Sequence, residues 1–160
     1  MIEIPFKNFM LGRLAIGPST VEIRPLHAAH YAETEQYKVR HKAGFNYEHM
    51  VDCQKRGTMH AFGARLVDSQ QLIAYLFMYV NLSTHDSSLV ASDDGYYVMP
   101  EYRGSGLGRR LLQYSEKRLK ELGVDYFFMT SKAPAGGSNI GSLFEAEGFT
   151  LNATSYVKVL

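Results

Sequence analysis

Val98-Met99-Pro100-Glu101-Tyr102-Arg103-Gly104-Ser105-Gly106-Leu107-Gly108-Arg109-Arg110-Leu111-Leu112 is the stretch from which the fold can be read. Before it, Gly95-Tyr96-Tyr97-Val98 is aromatic and β-branched and reads as a strand that stops at Pro100. After it, Leu107, Leu111, Leu112, Ser115, Leu119 and Leu122 recur at helical spacing until Gly123 supplies a stop. Gly104, Gly106 and Gly108 therefore fall where a strand turns into a helix. Glycine there permits backbone angles closed to other residues and lets a ligand approach the main chain. A helix start also carries unpaired N–H groups and the positive end of the macrodipole, so the turn suits an anion such as a pyrophosphate. From Arg103 to Lys120 the basic residues are Arg103, Arg109, Arg110, Lys117, Arg118 and Lys120, against Glu116 alone, which strengthens that reading.

Other phosphate loops do not fit. A P-loop requires Lys-Ser or Lys-Thr after its glycines, and neither follows here. A dinucleotide fingerprint is G-x-G-x-x-G early in a βαβ repeat, whereas this is G-x-G-x-G late in the chain. A kinase glycine loop belongs to a far longer chain. A tight turn with no ligand would be served by one glycine, and three alternating glycines flanked by arginines suit it poorly.

With Val98, Pro100, Tyr102, Arg103, Gly104, Gly106, Leu107, Gly108, Leu111 and Leu112 in these places, the stretch resembles the acetyl-CoA-binding signature of the GNAT superfamily of N-acetyltransferases. The core of that signature, [QR]-x-x-G-x-[GA], falls on Arg103, Gly106 and Gly108. The resemblance implies a mixed, mostly antiparallel α/β (α+β) sheet flanked by helices, with acetyl-CoA as co-substrate. It also implies that the strand backbone near Val98 pairs with the pantetheine arm. The backbone of Arg103, Gly104, Ser105, Gly106, Leu107, Gly108 and Arg109 would hold the pyrophosphate. A second segment, Leu143-Phe144-Glu145-Ala146-Glu147-Gly148-Phe149, is similar to the family's L-Y-x-x-x-G-F, which closes over the thiol end. Phe144 stands where the family carries a tyrosine that can protonate the leaving thiolate. The family's asparagine lies two residues upstream of Asn139, the residue here that would take its cofactor contact.

At 160 residues the chain is read as one domain, 1–160, with 1–20 as an N-terminal arm. Its 46% hydrophobic and 21% charged residues are those of an ordinary globular protein. A net charge of +1 supports no global nucleic-acid or membrane role. Cys53 is the only cysteine, so an intramolecular disulfide is excluded and a reducing, cytoplasmic setting is expected. No signal peptide is expected, and the longest apolar run, Leu72 to Val80, is too short to span a bilayer. A monomer or a homodimer fits equally.

Along the chain, Ile2, Ile4 and Phe6 alternate as a short strand, and Gly12, Gly17 and Pro18 break anything longer. Val21 to Leu26 alternates, stops at Pro25 and reads as the first full strand. His27 to Ala43 reads as a helix closed by Gly44, and Asn46 as the cap of a second helix ended by Gly57. In the family pattern these two helices line the acceptor site. His27 and His30 lack further ligands at metal-site spacing and read as packing or surface residues, so no metal is expected. Thr58 to Val67 and Leu72 to Leu82 form two antiparallel strands around a polar turn, with Tyr75, Phe77 and Tyr79 on one face as core. Leu89 begins the strand that enters the glycine turn. Val124 to Thr130 reads as a buried strand, which makes a βαβ crossover. Ser138 or Asn139 would cap a short helix ending at Gly148, and Phe149 to Leu160 would supply the last strand or strands.

Acyl transfer from a thioester to an amine needs a neutral amine, a polarised carbonyl and a proton for the thiolate. An alkylammonium of pKa about 10.4 must first lose its proton, which a carboxylate can assist. Asp94 is the favoured base: in an unbroken strand register it shares a face with Val98, and several family members carry an acid there. A plain strand-edge aspartate is the competing reading. Glu101, in the turn after Pro100, is the second catalytic candidate, and His85 an outside one. Three functions stay open: an N-acetyltransferase acting on a small-molecule or protein amine, a transferase of another acyl group, and a non-catalytic acyl-CoA-binding or protein-interaction module that Phe144 makes credible. Asp86, Asp93 and Asp94 hint at a cationic acceptor.

Overall fold

The computed structural model describes residues 4–34, 45–131 and 140–154. Six strands form one sheet in the order in which they occur: β1 (Ile4–Phe6), β2 (Phe9–Arg13), β3 (Met59–Leu66), β4 (Leu72–Leu82), β5 (Leu89–Val98) and β6 (Tyr126–Phe128). Every neighbouring pair is antiparallel except β5 and β6. That parallel pair is joined through α3 (Leu107–Glu121), the crossover expected from strand, basic helix and strand in series. The remaining helices are α1 (Ile16–Thr34), α2 (Tyr47–Lys55) and α4 (Gly141–Ala146). The result is the mixed, mostly antiparallel sheet flanked by helices that the resemblance implied.

Two apolar cores lie on opposite faces of the sheet. On one face, Leu107, Leu111, Leu112 and Leu119 of α3 pack with Leu11, Phe62, Leu76, Met78 and Val98, and Phe144 of α4 joins them. On the other, Ile16, Ile23 and Leu26 of α1 and Met50 and Cys53 of α2 pack with Tyr75, Phe77 and Tyr97. Both faces of β4 are therefore covered, which is why Leu72 to Val80 is almost uninterruptedly apolar. Among the described residues no helix is long and apolar enough to cross a membrane.

Several local expectations are corrected. Val21 to Leu26 is not a strand but lies inside α1. Ile16, Ser19, Ile23, Leu26 and His27 are buried at helical intervals, while Val21 is 81% exposed. Pro25 sits on the exposed side, and its missing N–H is outweighed by the apolar residues buried around it. Gly12 lies within β2 rather than breaking it, and Gly17 and Pro18 occupy the first turn of α1, where proline is tolerated. Of the stretch 1–20 read as an arm, the described residues 4–20 form the β1–β2 hairpin and the start of α1, and Ile2 lies outside the described residues. The strand after α3 is short, with Tyr126 51% and Phe128 40% exposed: among the described residues β6 has a partner strand on one side only, and of its three residues Phe127 turns toward the core. Residues 149–154 form no strand. The expected helix end at Ala43 and Gly44, the caps Ser138 and Asn139, and residues 155–160 lie outside the described residues. The second helix is as expected: Asn46 Oδ1 accepts from the His49 amide at 3.0 Å.

Candidate active site

β5 pairs with β4 along its whole length but with β6 only at Val90, Ala91 and Ser92. The pairing stops at Ser92, whose partner Phe128 ends β6, and just beyond it Asp93 Oδ1 accepts from the Thr130 amide at 2.8 Å. From there to Val98 the β5 edge has no partner strand among the described residues. Such an edge offers backbone groups to an extended ligand.

Past Val98 a single 3-10 turn, Pro100–Tyr102, leads into the glycines. Gly104 and Gly106 adopt φ of +76° and +88°, and Gly106 is the N-cap of α3. Ser105 Oγ donates to the Tyr102 carbonyl at 2.7 Å and accepts from the Leu107 amide at 3.2 Å. The amides of Gly106, Gly108 and Arg109 have no hydrogen-bond partner among the described residues. Free amides at the positive end of a helix of 15 residues are what an anion requires.

Gly108 answers a different need. A Cβ there would stand 2.5 Å from the Tyr96 hydroxyl. Among the described residues that hydroxyl is buried without a hydrogen-bond partner, and burial first, then the Glu147 charge, push its pKa far up.

The signature arginines are held by carboxylates. Arg103 grips Glu33 of α1 with both terminal nitrogens, at 2.8 and 2.6 Å, and its Nε donates to the Val98 carbonyl at 2.9 Å. Its guanidinium also lies 5.5 Å from the Tyr97 ring centroid. Arg109 Nε is 2.7 Å from Glu147, which also accepts from Gln113 at 2.8 Å, so α4 is latched onto α3. Phe144 is buried in the α3-side core, its ring 6.4 Å from that of Tyr96 and 5.8 Å from that of Phe149. Asn139 lies outside the described residues.

The register premise for Asp94 does not hold. Gly95 pairs with Phe77 and Asp93 with Met78, so Asp94 is the extra residue of a bulge. Its charge acts on Tyr75 and Tyr79, both raised chiefly by burial, on the α1–α2 side of the sheet. Val98 belongs to the opposite core. The bulge therefore carries Asp94 off the Val98 face. Glu101 is exposed, and its charge reaches the Tyr97 phenol, after burial and the charges of Arg103 and Glu33. His85 is an exposed loop residue at the other end of β5, about 30 Å from the glycine turn at 3.3 Å per residue.

Beside Asp94, the α1–α2 side of the sheet carries an aromatic group that pattern reading missed. His30 Nδ1 is 2.6 Å from the Tyr75 hydroxyl, and its ring stacks on Tyr97 at 5.1 Å. His27 stacks on Phe45 at 4.0 Å and bonds the Tyr47 hydroxyl at 3.0 Å. Burial, with a smaller push from His30, lowers the His27 pKa to about 4, so it is neutral at pH 7. The missed signal was periodic: Ile23, Leu26, His27 and His30 share one helical face once the segment is read as helix.

A family model described as the acetyltransferase (GNAT) family matches residues 26–137, or 112 of the 160 residues. No curated protein matches the chain. A ribosomal-protein-alanine N-acetyltransferase from Brucella melitensis biovar Abortus 2308 is 22% identical with a TM-score of 0.74, over 95% of this chain and 99% of that one. An aminoglycoside acetyltransferase from an uncultured soil metagenomic sample is 15% identical with a TM-score of 0.73, over 96% of this chain and 97% of that one. A glucosamine-6-phosphate N-acetyltransferase from Arabidopsis thaliana is 12% identical with a TM-score of 0.71, over 96% and 99% respectively. At these identities the likeness is one of fold. The family model spans more than half of the sequence, the glycine turn included, and the chain accordingly belongs to the acetyltransferase (GNAT) family.

Proposed function

We propose that this domain is an N-acetyltransferase that uses acetyl-CoA and delivers the acetyl group to an amine by direct attack, in the cytoplasm. The observation that carries the reading is the set of amides at Gly106, Gly108 and Arg109, unbonded among the described residues, set beside a β5 edge that no described strand pairs. The backbone of residues 103–109 takes the pyrophosphate, and the β5 edge near Val98 takes the amides of the pantetheine arm. When bound there, acetyl-CoA supplies a thioester whose carbonyl carbon accepts the amine nitrogen while its C–S bond breaks. Backbone N–H groups beside Val98 stabilise the oxyanion. Asp94, turned toward the aromatic face by its bulge, accepts the amine proton directly or through water, with Glu101 the alternative. The acceptor lies on the α1–α2 side of the sheet, where Asp94 is exposed and His30 and Tyr79 are half-buried, and a cationic amine suits the combination of aromatic rings and Asp94.

Phe144 has no proton to donate, and this favours a second reading, a domain that binds acyl-CoA without turning it over. A titration of the chain with acetyl-CoA followed in a calorimeter, and a thiol-release assay over a broad amine panel, separate the two. We expect saturable binding, its loss in Gly106→Glu, and thiol release above hydrolysis with at least one amine. Saturable binding that survives Gly106→Glu would remove the turn from the account.

A further inference from the structure

The hairpin that opens the sheet reaches the glycine turn. Lys7, at its tip, donates from Nζ to the Ser105 carbonyl at 2.8 Å, between the two left-handed glycines. The Phe6 ring lies below Gly106, whose Cβ, if present, would meet Phe6 Cζ at 3.7 Å. The same ring carries two cations, the Lys7 ammonium at 5.3 Å and the Arg110 guanidinium at 5.8 Å from its centroid. Arg110 reaches the neutral amide of Gln113 at 3.3 Å rather than a carboxylate.

Charge compensation sorts Arg103, Arg109, Lys7 and Arg110 into two classes. Arg103 and Arg109 are bound to Glu33 and Glu147, and using them to hold a phosphate means breaking or sharing those pairs. Lys7 and Arg110 have no acidic partner among the described residues. They stand beside free amides at a helix start, where a net positive field is already present. An arriving polyanion therefore meets its uncompensated charge at Lys7 and Arg110.

We propose that Lys7 and Arg110, gathered around Phe6, hold a phosphate of the CoA nucleotide, while Arg103 and Arg109 brace the turn against α1 and α4. This rests on the acetyl-CoA reading above and adds a role for the N-terminal hairpin. The phosphate is either the pyrophosphate or the ribose 3′-phosphate.

The test is a calorimetric titration of the full chain with acetyl-CoA and with 3′-dephospho-acetyl-CoA, at low and at high salt. The variants are Lys7→Met, which keeps the aliphatic stem on Phe6, Arg110→Gln, the double variant, and Lys55→Met on α2 as a charge-matched control. Thermal melts verify that each is folded. We expect the double variant to bind acetyl-CoA about 5- to 30-fold more weakly at low salt and to lose much of the salt dependence, as for two partly exposed charges. Each single variant should fall between, and Lys55→Met should bind like wild type. Loss confined to acetyl-CoA assigns the 3′-phosphate, and equal loss with both ligands assigns the pyrophosphate. Wild-type binding with an unchanged double variant overturns this assignment alone. So does a salt dependence that vanishes in Arg109→Gln instead. Absence of wild-type binding overturns the acetyl-CoA reading itself, and this assignment with it.

Discussion

The hydroxyl of Tyr96 occupies the space that a side chain at residue 108 would fill: a Cβ on Gly108 would lie 2.5 Å from it. The next nearest atoms, Tyr96 Cζ and Val98 Cγ2, would both stand at an ordinary 3.6 Å. Only the oxygen is in the way. Gly108→Ala should therefore lower stability by about 1–3 kcal/mol, as an overpacked core does. Tyr96→Phe removes a buried oxygen that has no partner among the described residues, so alone it should be neutral or stabilising. The combined variant should recover most of the loss, measured by urea unfolding of all four proteins. Additive effects of the two changes would show that the clash is not the cause.

His27 gives the fold a pH dependence. Its folded pKa, near 4, is below its unfolded value, so the unfolded chain binds the extra proton first. The stability that follows from keeping it neutral is complete above about pH 6.5 and is lost progressively as pH falls toward 4. Urea midpoints should drop across that window by the equivalent of about 1–3 kcal/mol, and His27→Gln should flatten the drop while lowering stability near pH 7. A wild-type midpoint unchanged between pH 7 and pH 4.5 would show that His27 accepts its proton without strain.

Asp94 projects from the bulge near Tyr75 and Tyr79. Asp94→Asn should lower the transfer rate most at moderate pH, by about 10²–10⁴-fold if it is the sole base, and less at high pH, where more amine is already neutral. A pH–rate profile with an unchanged shape would pass the role to Glu101 or to bulk water.

Phe144→Tyr asks whether the missing proton donor matters. A thiolate leaves tolerably without one, since a free thiol has a pKa of about 8.5. The variant should therefore keep or raise the rate of thiol release relative to wild type. If both proteins bind acetyl-CoA and neither releases thiol with any amine of the panel, the non-catalytic reading takes the lead.

The glycine turn, the crossover and both β-strands flanking the polar turn at residues 68–71 were legible because their signals are local: period, punctuation and one specific motif. Val21 to Leu26 misled because alternating Val21 and Ile23 before Pro25 imitates a strand, whereas the core that Ile23 joins is built with residues such as Tyr75 and Phe77 of β4, far away in sequence. The bulge at Asp94 is invisible in one strand, because it exists only relative to the pairing of Gly95 and Asp93 with β4. The pairing of Arg103 with Glu33 and the approach of Lys7 to Ser105 are likewise tertiary facts, spanning 70 and 98 residues. Charge sign can be read from a sequence; which charges are already neutralised cannot.

The central claim is that acetyl-CoA is held by the free amides that open α3. It is tested most directly by recording backbone amide resonances of the isotope-labelled chain during titration with acetyl-CoA. The largest shifts should fall on Gly106, Gly108 and Arg109, with smaller ones along the β5 edge from Asp93 to Val98. Saturation without shifts at the three amides, or no saturation at all, would contradict it.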